Sequence, residues 1–119
     1  MTLKLNHLHL KTKDPEQTAK FYVDTLGAKI VSQSPNGAYR LDLHGLSLNV
    51  SRFLETQTRE QKYGMEHIAI DTDELDALVE KLKAQGISIL EETIVSGGRR
   101  VCFFEGPDGV QLEFIEIKK

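Results

Sequence analysis

Through residues 3 to 10, apolar side chains alternate with polar ones and with two histidines, a period of two that predicts a β-strand. In "DPEQTAKFYVDTLGA" the period changes. Ala19, Tyr22, Val23 and Leu26 recur at helical spacing, Asp14 is a natural N-cap, Pro15 suits the first helical position and Gly27 ends the helix. Three strands follow, "AKIVSQS", "AYRLDL" and "LSLNVSRF", separated by the turn signals Pro35-Asn36-Gly37 and His44-Gly45. From Gly64 the programme starts again. "MEHIAID" reads as a strand, Leu75, Leu78, Val79 and Leu82 mark a helix closed by Gly86, and "ISILEETIV", "RRVCFF" and "VQLEFIEI" supply three more strands. Superposing the halves sets His7 on His67, Gly27 on Gly86, Ile30 on Ile89 and Gly45 on Gly109, so a unit of about 60 residues, β-α-β-β-β, is written twice.

The period of two also assigns faces. In the hairpin closed by His44-Gly45, Leu43 faces Leu46 and Leu41 faces Leu48, and this leucine side packs on the helix. The other side carries Arg40, Asp42, Ser47, Asn49 and Ser51. Its counterpart in the last strand carries Gln111, Glu113, Ile115 and Ile117. Leu8 and Leu10 take the helix side of the first strand and leave His7 and His9 opposite, while Ile68 and Ile70 leave His67 and Ala69. The candidate chemistry therefore gathers on the helix-free faces, which suits a cavity.

Composition narrows the function classes. A chain of 119 residues reads as one α+β domain, residues 1–119, with internal modules 1–53 and 64–119 and "LETQTREQKY" as the polar linker. A net charge of -3, with lysines and arginines dispersed along the chain, gives no footprint for nucleic acid. Cys102 is the single cysteine, so an internal disulfide is impossible and a thiolate zinc site has no second ligand. No window reaches the length of a membrane span, and the expectation is a cytoplasmic protein without a membrane partner.

One histidine on a half-apolar strand is more often a hydrogen-bonded structural residue than a ligand. Two at repeat-equivalent positions, His7 and His67, with Glu113 on the corresponding face, make the 2-His-1-carboxylate set, which leaves open positions on a divalent metal. Burying Glu113 without such a partner is costly.

The stretches "LNHLHL", "DPEQTAKFYVDTLGAKIV", "GMEHIAID" and "GPDGVQLEFIE" resemble the vicinal oxygen chelate superfamily, which includes glyoxalase I, fosfomycin-resistance proteins, methylmalonyl-CoA epimerase, bleomycin-resistance proteins and extradiol dioxygenases. The resemblance implies that each module forms a half-barrel and that two modules make a cup around a metal. It places the ligands on His7, His67 and Glu113, with Fe, Mn, Ni, Co or Zn as the divalent ion. It implies a glyoxalase-like enzyme of lyase or isomerase type, binding a small oxygenated metabolite through two oxygens and moving a proton. His9 falls at a substrate-contacting position, and its ordinary pKa near 6.5 suits a catalytic acid or base, with a hydrogen bond that supports the site as the other role open to it. In many relatives a module of one chain pairs with a module of another, so a homodimer is expected.

Departures from the relatives matter as much. The fourth, glutamate ligand of glyoxalase I falls on Asn49, which cannot act as a general base. Arg40, across the hairpin from Asn49, is a candidate contact for an anionic substrate group. The loop that is acidic in potassium-dependent fosfomycin transferases reads "SGGRR", with Arg99 or Arg100 offering another anion contact, and their tyrosine position is Phe103, a candidate substrate-binding residue. The alternatives are a metal-free drug-binding protein of the bleomycin-resistance type, a small extradiol-type dioxygenase and a fosfomycin-resistance-like transferase. The absence of tryptophan disfavours the first.

Overall fold

The computed structural model describes residues 2–117, so the module limits at residues 1 and 119 lie outside the described residues. The elements run β1 (Leu3–Lys11), α1 (Pro15–Leu26), β2 (Lys29–Gln33), β3 (Tyr39–Leu43), β4 (Leu46–Ser51), β5 (Gly64–Thr72), α2 (Leu75–Ala84), β6 (Ile89–Val95), β7 (Arg99–Glu105) and β8 (Gln111–Glu116). This is the β-α-β-β-β order twice over. Contacts divide the chain into two compact units at Asn6/His7 and at Glu66/His67. The segment 54–63, expected as a linker, therefore belongs to the first unit.

In the first unit, His7–Glu66, the strands lie in the order β2-β3-β4-β1. Helix α1 starts where expected: Asp14 accepts from the Gln17 backbone N–H, Pro15 occupies the first turn, and Gly27 closes the helix in the left-handed region at φ 77°. The His44-Gly45 turn has both residues at positive φ, as a two-residue hairpin loop requires, and it pairs Leu43 with Leu46 and Leu41 with Leu48. His44 also bonds through Nε2 to the Leu26 carbonyl at the helix end, 2.7 Å away. The expected core forms here: Ala19, Leu41, Leu48 and Val50 are buried, with Leu8, Leu10, Tyr22 and Val23 packed on them.

The second unit takes the residues from His67 onward together with those up to Asn6, and its later strands lie in the order β5-β8-β7-β6. Asn6 is fastened to β5 by its amide, which donates to Asp71 Oδ1 at 3.0 Å. Helix α2 buries Leu75, Leu78, Val79 and Leu82 against Cys102, Phe104 and Phe114. On the other side of the sheet Ala69, Val101, Phe103 and Ile115 form a smaller buried cluster. Each unit breaks register once at the same repeat position, between Ile30 and Ser32 in β2 and between Ile89 and Glu91 in β6.

Candidate metal and substrate site

The parallel pairing of β5 with β8 sets Ala69 opposite Glu113, two residues along from the His67–Gln111 pair. The glutamate side chain reaches back along this diagonal, and its Oε1 lies 3.2 Å from His67 Nε2. Both side chains are almost wholly buried. Phe103 pairs with Glu113 across β7 and β8 and meets the His67 ring edge-on, centroids 5.3 Å apart. His67, Phe103 and Glu113, three of the sequence-assigned residues, thus come together in the second unit.

In the first unit the equivalent pairings hold His9 opposite Asn49 and Asn49 opposite Arg40. His7 is 8% exposed on β1, its ring 6.2 Å from that of half-buried His9. His9 Nε2 sits 2.7 Å from Ser51 Oγ, and the same hydroxyl lies 3.0 Å from the Arg52 carbonyl. The imidazole tautomer decides which of His9 and Ser51 is the donor. Asn49 is half buried, and its Oδ1 is buried without a hydrogen-bond partner among the described residues. Arg40 is exposed at the rim of the same face.

Two expectations need correction. Arg100 is no anion contact, because its guanidinium is committed to two carboxylates, Asp76 at 2.9 Å and Glu116. It holds the Asp76 and Glu116 carboxyls below the usual carboxylate range. The segment 54–63, expected as the polar linker, is held to the first unit by side-chain bonds. Gln61 accepts from the Leu54 backbone N–H and donates to its carbonyl, and it also accepts from Lys11 Nζ at 3.0 Å.

Sequence reading missed that lysine. Lys11 continues the alternation of His7 and His9 and is 1% exposed, with Glu66 3.8 Å away and Gln57 as a further acceptor. Arg59 approaches the same Glu66 oxygen at 3.6 Å. Desolvation lowers the Lys11 pKa, Arg59 adds to that, and the Glu66 carboxylate opposes it. The signal was present in the period-two pattern, but "KTK" reads as a strand running out into solvent.

The sequence matches the model of the Glyoxalase/Bleomycin resistance protein/Dioxygenase superfamily over residues 4–114. The chain belongs to this superfamily. It is 33% identical to the uncharacterized protein YwkD of Bacillus subtilis, over 98% of this chain and 99% of that one. It is 28% identical to a lactoylglutathione lyase of Haemophilus influenzae, over 98% and 94% of the two chains. Among solved structures, a hypothetical protein from Bacillus halodurans superposes with a TM-score of 0.77 at 21% identity, covering 100% of this chain and 97% of that one, which shows the shared α+β fold. Members of the glyoxalase superfamily are generally enzymes, and the vicinal oxygen chelate resemblance of the sequence is thereby established.

Proposed function

We propose that this superfamily member is a metal-dependent, glyoxalase-like enzyme that works as one domain over residues 1–119, with His7, His67 and Glu113 as ligands of one divalent ion, Fe, Mn, Ni, Co or Zn. The observation that carries the reading is the buried His67–Glu113 pair. Ligand bonds of about 2.1 Å at right angles leave two donor atoms about 3.0 Å apart, and the 3.2 Å separation fits that demand as well as it fits a hydrogen bond. Imidazole nitrogen with carboxylate oxygen is also a donor set that such ions accept. When bound, the ion supplies Lewis acidity to two oxygens of a small oxygenated metabolite.

The remaining work falls to side chains. His9 is the proton carrier: Ser51 holds its ring through Nε2, and the imidazole takes and returns the proton, a task closed to the Asn49 amide. Phe103 buttresses the His67 ring and keeps water from the Glu113 carboxylate. The chain works in the cytoplasm as a homodimer, in keeping with exposed Ile30 and Val31 on edge strand β2.

Metal titration of the purified, chelator-stripped protein tests the reading. Stoichiometric binding of a divalent ion is expected, lost in His67→Ala and in Glu113→Gln and retained in His9→Ala. Failure to bind any of the five ions, or binding indifferent to His67→Ala, removes the proposal. Loss in His9→Ala equal to that in His7→Ala makes His9 a ligand instead.

A further inference from the structure

The backbone pairings of the first unit align four side chains in one transverse row: His9 opposite Asn49, Asn49 opposite Arg40, Arg40 opposite Ser32. Residues paired across a sheet share a face, and neighbouring strands are about 4.8 Å apart, so the row is a polar track with Arg40 about two strand spacings, roughly 10 Å, from His9. A cavity of about 250 Å³ lies over the row and is lined by all four, together with Ser51. That volume is roughly eight water volumes and falls below the usual range for a whole small-molecule pocket, so it suits one end of a ligand.

The charge at the outer end of the row is uncompensated. Among the described residues no carboxylate pairs with Arg40, and Asp42, its acidic neighbour on the same face, accepts from the Gly45 backbone N–H at 2.7 Å. Asn49, one strand inward, carries the buried, unpartnered Oδ1, an arrangement that costs about 1–3 kcal/mol and that a turn of the amide toward a polar ligand relieves. A merely solvated arginine needs neither a concave setting nor a row of hydrogen-bonding neighbours.

We propose that this cavity is the subsite for the anionic end of the substrate, a carboxylate or phosphate held by the Arg40 guanidinium, with Asn49 and Ser32 hydrogen-bonding the polar atoms beside it. The assignment rests on the reading of the first unit's helix-free face as the substrate face, and it does not require the metal. The substrate class is then a small oxyanion-bearing metabolite whose reacting carbon reaches His9 while its charge sits at Arg40. Arg40 matches such a group because its planar fork gives two parallel donors, which lysine does not.

The test is a nuclear magnetic resonance titration of the ¹⁵N-labelled full chain in excess chelator, with butyrate and inorganic phosphate as separate probes. Saturable shifts are expected at residues 32, 40, 49 and 51 for at least one probe, and the probe that saturates identifies the carboxylate or the phosphate as the preferred anion. Arg40→Leu is expected to weaken that binding at least tenfold, and Arg40→Lys to retain part of it. Shifts that never saturate, that map elsewhere on the chain, or that persist unchanged in Arg40→Leu overturn the subsite. Because the chelator removes divalent ions, a failure here is distinct from a failure of the metal reading, which is decided by metal titration alone.

Discussion

The same transverse row exists in both units, built on the same register and carrying opposite chemistry. In the first it reads His9, Asn49, Arg40, Ser32. In the second it reads Ala69, Glu113, Phe103, Glu91, each the repeat partner of its counterpart. Duplication of a β-α-β-β-β scaffold fixes where four side chains stand, to the point of reproducing the register break beside the last of them. It leaves their identity free. Ala69 offers no side chain to compete for Glu113, whose oxygen meets His67; His9 fills the equivalent place and takes Ser51 as its partner. One row holds a buried carboxylate against an imidazole and an aromatic ring, the other a half-open amide and a cation.

Truncating the two histidines should therefore have unequal effects. In the metal-free protein His67→Ala strands Glu113, 5% exposed, among apolar neighbours, and a loss of about 3–5 kcal/mol in urea unfolding is expected. His9→Ala leaves Ser51 with the Arg52 carbonyl and removes a half-buried ring, so about 1 kcal/mol is expected. Equal losses would mean that the two rows do the same structural work.

The Lys11 cluster gives the first unit a buried charge pair of its own. Lys11→Met removes one of the two cations beside buried Glu66 and leaves it with the Arg59 guanidinium at 3.6 Å, and a loss of about 3 kcal/mol is expected. Hydrogen exchange should quicken most across residues 54–63, because Gln57 and Gln61 both lose the bond from Lys11. The triple variant Lys11→Met/Arg59→Met/Glu66→Leu is expected to recover part of that loss, since it removes the carboxylate together with both cations beside it. A triple variant no better than the single one would locate the cost in packing rather than in charge.

Most of this architecture is legible in the sequence, for identifiable reasons. Periods of two and 3.6, Asp14-Pro15 before α1 and the His44-Gly45 turn are local signals, and each acts through backbone geometry that tertiary context reinforces. The internal repeat carries the face assignment further, because strand parity follows once His7 is set on His67. What stays hidden is pairing over distance. Nothing local announces that Arg100 is spent on Asp76 and Glu116, or that Gln61 stitches both backbone groups of Leu54. Lys11 is the instructive miss: the alternation places it inward, but a lysine at a strand end is ordinarily solvated, and its acceptors come from residues 46, 50 and 55 positions later.

Smaller effects test where the units should behave alike. Gly27 and Gly86 are repeat partners at φ +77° and +72°, and a Cβ meets only ordinary contact with His44 at the first and nothing within 4 Å at the second. Gly27→Ala and Gly86→Ala should therefore each cost about 1–2 kcal/mol through left-handed backbone strain alone. A markedly larger loss at Gly27 would show that its neighbour, His44, cannot give way.

Alkaline titration separates the units by sign. Burial, aided by Glu92, pushes the Cys102 thiol in the second unit up from 9.0 to about 11, with Lys83 opposing. The unfolded chain then releases that proton first, so this contribution is whole below pH 9 and falls as pH rises toward 11. Lys11 in the first unit is shifted the other way, below 10.5. Between its lowered value and 10.5 the unfolded chain binds more protons, so its contribution rises with pH. Urea unfolding followed from pH 8 upward reads the sum of these two opposed slopes in the wild type. Cys102→Val should tilt the slope upward relative to the wild type and Lys11→Met should tilt it downward, and a shared direction for the two changes would refute the opposed shifts.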